Sequence, residues 1–221
     1  HGGFALAVVG FAFKLALVPF HMWAPDAYQA ATPAVTAFMA VGTKGAALAA
    51  LARFAWAAVP HDPQPAGKYM APLAVLAVLS MLAGSLSALF QNNLKRLLAY
   101  SGITHAGYLL IPIIALQDNG MRLTVFYLFG YMFMTLGAFA VITALQFRGE
   151  QGDDLLANEG LWQRRPWMAG LLAFFFLAMA GMPPTAGLTG KLLLLRGGLQ
   201  AGAGGLIATL IVSTAISAYA Y

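Results

Sequence analysis

Cysteine is absent from the 221 residues. That excludes iron–sulfur ligation, a CxxC redox pair and disulfides on this chain. Charge is scarce as well: 9% of residues are Asp, Glu, Lys or Arg, against roughly 25% in soluble domains, so most of the surface must face something other than water. Neither a GxGxxG turn nor a phosphate-cradling GxxxxGK[ST] loop occurs, so nothing marks a nucleotide site. No acid–base–nucleophile set and no metal-ligand spacing stands out, which leaves hydrolytic and metalloenzyme chemistry without support. Acids are missing from the apolar runs altogether. Asp26, Asp62 and Asp118 fall in connectors, and Glu150, Asp153, Asp154 and Glu159 occupy the longest connector, about 148–166.

What remains is apolar. Hydrophobic residues make up 61% of the chain, with 24 Gly and 11 Pro, and the mean hydropathy is +0.77. Gly and Pro are more frequent in membrane helices than in soluble ones. A membrane helix needs about 20 mostly apolar residues. Seven runs approach this, at about 3–20, 34–58, 69–90, 95–116, 122–147, 167–196 and 205–221. Strand-like alternation is absent, which argues against a barrel. The expected fold is an all-α polytopic membrane bundle forming one transmembrane region over 1–221, with the lipid bilayer as its surroundings. The net charge of +5 sits in short clusters such as Lys95-Arg96 and Arg164-Arg165 at run ends, the mark of membrane topology rather than of nucleic-acid binding. Lys95, Arg96, Arg148, Arg164 and Arg165 fall on one side, and Arg53, Lys68, Arg122 and Arg196 on the other. This bias favours a cytoplasmic 148–166 loop. The chain opens on His1 with an apolar run close behind and no signal peptide, and we expect an internal fragment of a longer protein.

Two runs are interrupted. The first carries Pro19 and Pro25 around Phe20-His21-Met22-Trp23, and the sixth carries Gly181-Met182-Pro183-Pro184-Thr185-Ala186-Gly187. Proline removes a backbone donor and clashes with the preceding turn. A broken helix at membrane depth is tolerated where it lines a cavity or is buried in protein, and transporters place ion sites at such breaks. A plain kink remains an alternative for Pro19.

Three lysines lie inside apolar runs: Lys14, Lys44 and Lys191. Each at a helix centre costs about 2.5–3.5 kcal/mol, and three together roughly 8–10 kcal/mol, a large sum against the marginal stability of a fold. Snorkelling is the alternative for each alone, least for the mid-span Lys44 and most for Lys191. Water-free surroundings disfavour an ammonium, and a nearby carboxylate favours it, so a buried lysine can load and unload a proton. The acids of this stretch offer no such partner at membrane depth. His105, mid-run in Ser101-Gly102-Ile103-Thr104-His105-Ala106-Gly107-Tyr108, either hands protons between waters or is a neutral core histidine bonded to a carbonyl. His21 has the same two readings. Tyr127, Tyr131, Thr135 and Thr143 could hold water or serve helix packing.

Phe13-Lys14-Leu15-Ala16-Leu17-Val18-Pro19-Phe20-His21-Met22-Trp23-Ala24-Pro25-Asp26-Ala27-Tyr28-Gln29 resembles the signature of the antiporter-like membrane subunits of respiratory complex I. Asn93-Leu94-Lys95-Arg96-Leu97-Leu98-Ala99-Tyr100-Ser101 followed by His105 and Gly107-Tyr108, and Ala180 through Lys191, are similar to the family in the same order. The resemblance spans the whole chain. It implies a fourteen-helix fold with two inverted five-helix repeats, of which this chain would cover the seventh to thirteenth helices. It implies that Lys14 and Lys191 are the lysines of the two broken helices, that Lys44 links them, and that the family's intramembrane glutamate lies upstream of His1. The implied function is proton translocation, driven by NADH oxidation and quinone reduction in partner subunits of complex I that carry flavin and iron–sulfur clusters. Lys14 would receive protons, Lys44 would pass them on through internal water with His105 as a bridge, and Lys191 would release them to the periplasm. The implied location is a bacterial inner membrane. Stand-alone cation/proton antiporters share these motifs, and a scaffold without transport is the distant alternative. One departure is local: Ala30-Ala31-Thr32-Pro33-Ala34-Val35 stands where the family has a Gly and a differently placed Pro.

Overall fold

The computed structural model describes residues 2–58, 63–115, 120–147, 152–156 and 158–221. Asp62, Asp118, Arg148 and Glu150 lie outside the described residues, as does the side chain of Lys68. The chain runs as α1 (Gly2–Leu15), α2 (Trp23–Ala30), α3 (Pro33–Phe38), a π-helical turn Met39–Thr43, α4 (Lys44–Ala58), α5 (Pro63–Ala88), α6 (Leu94–Ile114), α7 (Gly120–Phe147), α8 (Leu161–Arg164), α9 (Pro166–Ala180), α10 (Ala186–Gln200) and α11 (Gly204–Ala220).

Among the described residues, four stretches are long and apolar enough to cross a bilayer: Pro33–Ala58, Tyr69–Ala88, Leu94–Ile114 and Gly120–Phe147. At 1.5 Å per residue the shortest of these, 20 residues, spans about 30 Å, the thickness of a hydrocarbon core. Large apolar side chains such as Leu79, Phe129, Phe133, Leu171 and Ile211 point outward, which suits lipid and not water. Inside, α6 is the hub. In its most apolar stretch 89% of residues are buried, and α5, α7, α2, α10, α4 and α11 all pack on it. Small residues permit the closest of these approaches. A Cβ on Gly107 of α6 would meet Ala77 O at 2.9 Å, and one on Gly84 of α5 would meet Thr104 N at 2.9 Å. The side chain of Asn93 starts α6 by accepting from Lys95 N and Arg96 N at 3.0 and 3.2 Å.

The two interrupted runs are indeed broken helices, and both breaks are built alike. α1 ends with Leu17 N donating to Ala12 O and Ala16 N to Phe13 O; α9 ends with Met182 N donating to Leu177 O and Gly181 N to Ala178 O. Each pair of bonds closes a helix C-terminus through one left-handed residue, Ala16 at φ 57° and Gly181 at φ 87°. Pro19, Pro183 and Pro184 lie inside these breaks. Pro25 does not: it sits in the first turn of α2, where no intrahelical donor is required of it. Asp26 likewise belongs to that turn and not to a connector.

Candidate functional site

α6 carries His105 at the centre of the bundle, 1% exposed. Three tyrosine rings surround the imidazole, with centroids at 4.9 Å (Tyr131), 5.3 Å (Tyr108) and 5.8 Å (Tyr127). Tyr127 Oη and His105 Nδ1 are 2.8 Å apart. The imidazole is thus bonded to a phenol rather than to a carbonyl. Tyr127 and Tyr131 come from α7 one turn apart, so both of their hydroxyls meet α6 from the same face.

The lysines reach this cluster from opposite sides. Lys44 opens α4 directly after the π turn, where the wider winding shifts side-chain phase relative to α3. Its amine is buried, lies 5.9 Å from the centroid of the Tyr28 ring, and has no hydrogen-bond partner among the described residues. Tyr131 Oη and Thr135 Oγ1 are buried too and face each other one turn apart on α7. Lys191, on α10 beyond the second break, is buried rather than snorkelling. Its Nζ donates to Met179 O and Ala180 O at 2.9 Å each and lies 5.5 Å from the Tyr108 ring centroid. The two carbonyls end α9, so the amine caps the negative end of a half-helix. Tyr131, His105, Tyr127, Tyr108 and Lys191 therefore form one interior cluster, and Lys44 approaches it at Gly102, where a built Cβ would lie 2.7 Å from Lys44 Nζ and 2.9 Å from Tyr131 Oη. Among the described residues no carboxylate pairs with Lys44 or Lys191.

Lys14 is placed differently from the sequence expectation. It is exposed, in the last turn of α1, on an open groove of about 570 Å³ lined by Ala7, Gly10, Phe38, Gly42, Thr43 and Ala46 among others. The reason is local: α1 buries Val8, Ala12 and Leu15, and residue 14 projects from the opposite face. The groove abuts the π turn before Lys44, so Lys14 adjoins the cluster without joining it. His21 lies in the first break, its ring edge-on to Tyr100 at 6.5 Å. Thr143 bonds back to Phe139 O within its own helix and lies outside the cluster.

One buried cation was hidden in the topology charges. Lys95 is 5% exposed. Its Nζ donates to Gln29 O at 2.7 Å and Ala31 O at 3.2 Å, at the C-terminal end of α2, and pairs with Asp153 at 3.3 Å. Arg96 beside it pairs with Asp26 at 2.5 Å. Burial by itself would raise the Asp153 carboxyl, but the Lys95 ammonium and the Asn93 amide outweigh it and hold the group below the usual carboxylate range. The available signal was the acid-rich 148–166 connector, whose Asp153 needed a basic partner.

A sequence model of the NADH:quinone oxidoreductase/Mrp antiporter transmembrane family matches residues 1–217. The chain is 49% identical over 219 residues to NADH-quinone oxidoreductase subunit N 1 of Symbiobacterium thermophilum, covering 99% of this chain and 44% of the relative. It is 42% identical to subunit N 2 of Roseiflexus castenholzii, covering 99% and 45%. Among solved structures it is similar to a chain of respiratory complex I from Thermus thermophilus, at TM-score 0.81 and 37% identity over 98% of this chain and 46% of that one. It also resembles a chain of the Mrp complex from Dietzia sp., at TM-score 0.84 and 25% identity over 98% and 40%. The chain spans a little under half the length of the curated relatives it matches.

Proposed function

The chain belongs to the NADH:quinone oxidoreductase/Mrp antiporter transmembrane family, and on that premise we propose that it carries protons through the membrane arm of an NADH:quinone oxidoreductase. Lys44 and Lys191 are the loading sites and His105 the group between them. The observation that carries this reading is the interior run of Tyr131, His105, Tyr127, Tyr108 and Lys191, which Lys44 meets at Gly102. Every member of that run can hold, accept or pass a proton, and the described residues hold no metal-ligand group. Lys14 feeds the run from the groove beside the π turn, and release follows Lys191 toward the periplasm. The driving reaction belongs to other subunits, which hold the flavin and iron–sulfur clusters in this reading; without cysteine, this chain offers no thiolate to a cluster. Its partners are then the neighbouring membrane subunits and the lipid of a bacterial plasma membrane.

The antiporter relatives offer a second reading, since the fold is shared with a chain of an Mrp complex. Identity favours the first: 49% to a subunit N against 25% to the Mrp chain. Co-purification with NADH-oxidising subunits separates the two. The direct test of the path is Lys191→Ala and Lys44→Ala in the full-length subunit, with proton uptake into vesicles measured alongside the amount of assembled complex. Loss of a positioned proton donor predicts a fall of at least about tenfold in translocation. Undiminished pumping by assembled variants would leave only a scaffold.

A further inference from the structure

We propose that Tyr108 is a positioning residue for Lys191: hydroxyls of α11 pin its ring so that the π face stands over the ammonium and takes the place of a counter-charge. Its bearing on transport rests on the proton-path reading above; the contact itself does not.

Lys191 and Tyr108 are both buried. Lys191 Nζ lies over the Tyr108 ring, 5.5 Å from its centroid, inside the roughly 6 Å at which a ring quadrupole attracts a cation. The amine also donates to Met179 O and Ala180 O. Its side chain is folded against bare backbone at Gly181, where a Cβ would meet Lys191 Cδ at 3.1 Å and Nζ at 3.4 Å. Around it α6 brings His105 and Tyr108, α7 brings Tyr127 with its ring against Gly190, and α9 brings the two carbonyls. Among the described residues no carboxylate pairs with it. An ammonium held among neutral groups depends on every partial negative charge it faces. A ring face attracts the charged amine through its quadrupole and gives the neutral amine no such term, so this contact distinguishes the loaded lysine from the unloaded one. The other interior lysine repeats the arrangement, with Lys44 Nζ over the Tyr28 ring at 5.9 Å.

The ring is fixed from α11. Tyr108 Oη lies 3.1 Å from Ser213 Oγ and 3.2 Å from Thr214 Oγ1. Ser213 has one hydroxyl proton, and it goes to Thr209 O at 2.8 Å or to Leu210 O at 3.1 Å. The serine oxygen is left to accept, so the phenol donates to it. The proton of Tyr108 is thereby committed to α11, and what the residue offers Lys191 is its face. Donation in a low-dielectric interior polarises the phenol and adds negative charge to that face. Ser213 is buried with Tyr108, so bulk water does not compete for the bond.

The test compares three variants of the full-length subunit within its assembled membrane complex. Tyr108→Leu removes the face. Tyr108→Phe keeps the face and deletes its anchor. Ser213→Ala with Thr214→Val deletes the anchor from the α11 side. Translocation by Tyr108→Leu should fall about threefold to thirtyfold, and the pH at which it is half-maximal should move by about half to one and a half units. Tyr108→Phe and the α11 pair should fall between that variant and the parent. A parent-like rate and pH profile in Tyr108→Leu overturns the proposal. So does a Tyr108→Phe as impaired as an assembled Tyr108→Leu, because the hydroxyl and not the face is then what matters. If Tyr108→Phe and the α11 pair both behave as the parent, the pinning is overturned whether or not Tyr108→Leu assembles. Failure of all three to assemble assigns Tyr108 to packing and overturns the proposal too. The contact is read separately from thermal midpoints of Tyr108→Leu, Lys191→Met and their double variant. A smaller loss from Tyr108→Leu once the ammonium is gone supports it, and additive losses overturn it. Such coupling combined with normal pumping by assembled Lys191→Ala leaves the contact standing and removes the proton path instead.

Discussion

Lys44 and Lys191 carry the same amine into opposite environments. Lys191 answers two carbonyls and faces a ring, whereas Lys44 meets a ring and the bare backbone of Gly102. One is held at a fixed point and the other is left a choice of partners, a difference suited to a donor and an acceptor along one path. His105 between them depends on Tyr127, whose hydroxyl is bonded to its Nδ1. Tyr127→Phe leaves a buried imidazole nitrogen unpaired and should cost about 1–3 kcal/mol, read as a lower thermal midpoint of the solubilised protein. If His105 passes protons, the same variant slows translocation in complexes that still assemble. A lowered midpoint with unchanged pumping would return His105 to the role of a core residue. These residues were legible because a lysine or histidine inside an apolar run is conspicuous in the sequence alone. Gly102 was not, since its meaning lies in which side chains approach it from α4 and α7. Lys95 was misread for a related reason: it stands in a basic pair at a run end, and only contacts with Gln29 and Asp153, about sixty residues away on either side, bury it.

Among elements, the two broken helices share one device. Each first half ends through a left-handed residue, and each break places a lysine nearby. Ala16 takes the conformation that Gly181 takes freely, at a cost on the order of 1 kcal/mol for its Cβ. The prolines made both breaks legible, but a run of hydropathy could not tell that α1 stops at Leu15, because Ala16, Leu17 and Val18 are as apolar as what precedes them. The second half of the first break, α2, is pinned at both ends. Trp23 Nε1 donates to Phe13 O at 3.1 Å, and Lys95 holds the carbonyls of Gln29 and Ala31. Asp153 completes that grip from the connector leading to the second broken helix. Because the folded state holds its carboxyl below the usual range, the contribution is present at neutral pH and is lost as pH falls through the folded-state value. Asp153→Asn should therefore weaken the attachment of α2 at neutral pH, by about 1–3 kcal/mol for a charged hydrogen bond, and the difference from the unmodified protein should shrink in acid. Hydrogen exchange at the amides of Leu94 and Leu155, which bond across this junction to Asp153 O and Asn92 O, reads it directly. Equal protection in variant and parent at neutral pH would remove Lys95 from this role.

The whole molecule turns large apolar side chains outward and gathers its polar ones around α6. Composition announced that inversion, each apolar run holds at least one of the helices, and the sixth is divided at its prolines into α9 and α10. Lys14 breaks the pattern. It stands exposed on a groove whose walls are mostly small and apolar, with Ala7, Gly10, Gly42 and Ala46 among them. A cation facing acyl chains at that depth costs about 2.5–3.5 kcal/mol or more, with no partner among the described residues to offset it. Small residues along a groove are what a neighbouring helix packs against. The relatives are more than twice as long as this chain, length enough to supply such a helix. We expect the full-length protein to seat a helix in this groove with a carboxylate within about 4–6 Å of Lys14 Nζ, close enough to favour the ammonium. A structure of the full-length protein checks this. Exchange of that carboxylate for its amide should then impair translocation as Lys14→Ala does, and the double variant should be no worse than either alone, because paired groups act as one unit. A full-length structure in which Lys14 faces lipid, or additive losses in the double variant, would separate this lysine from the proton path.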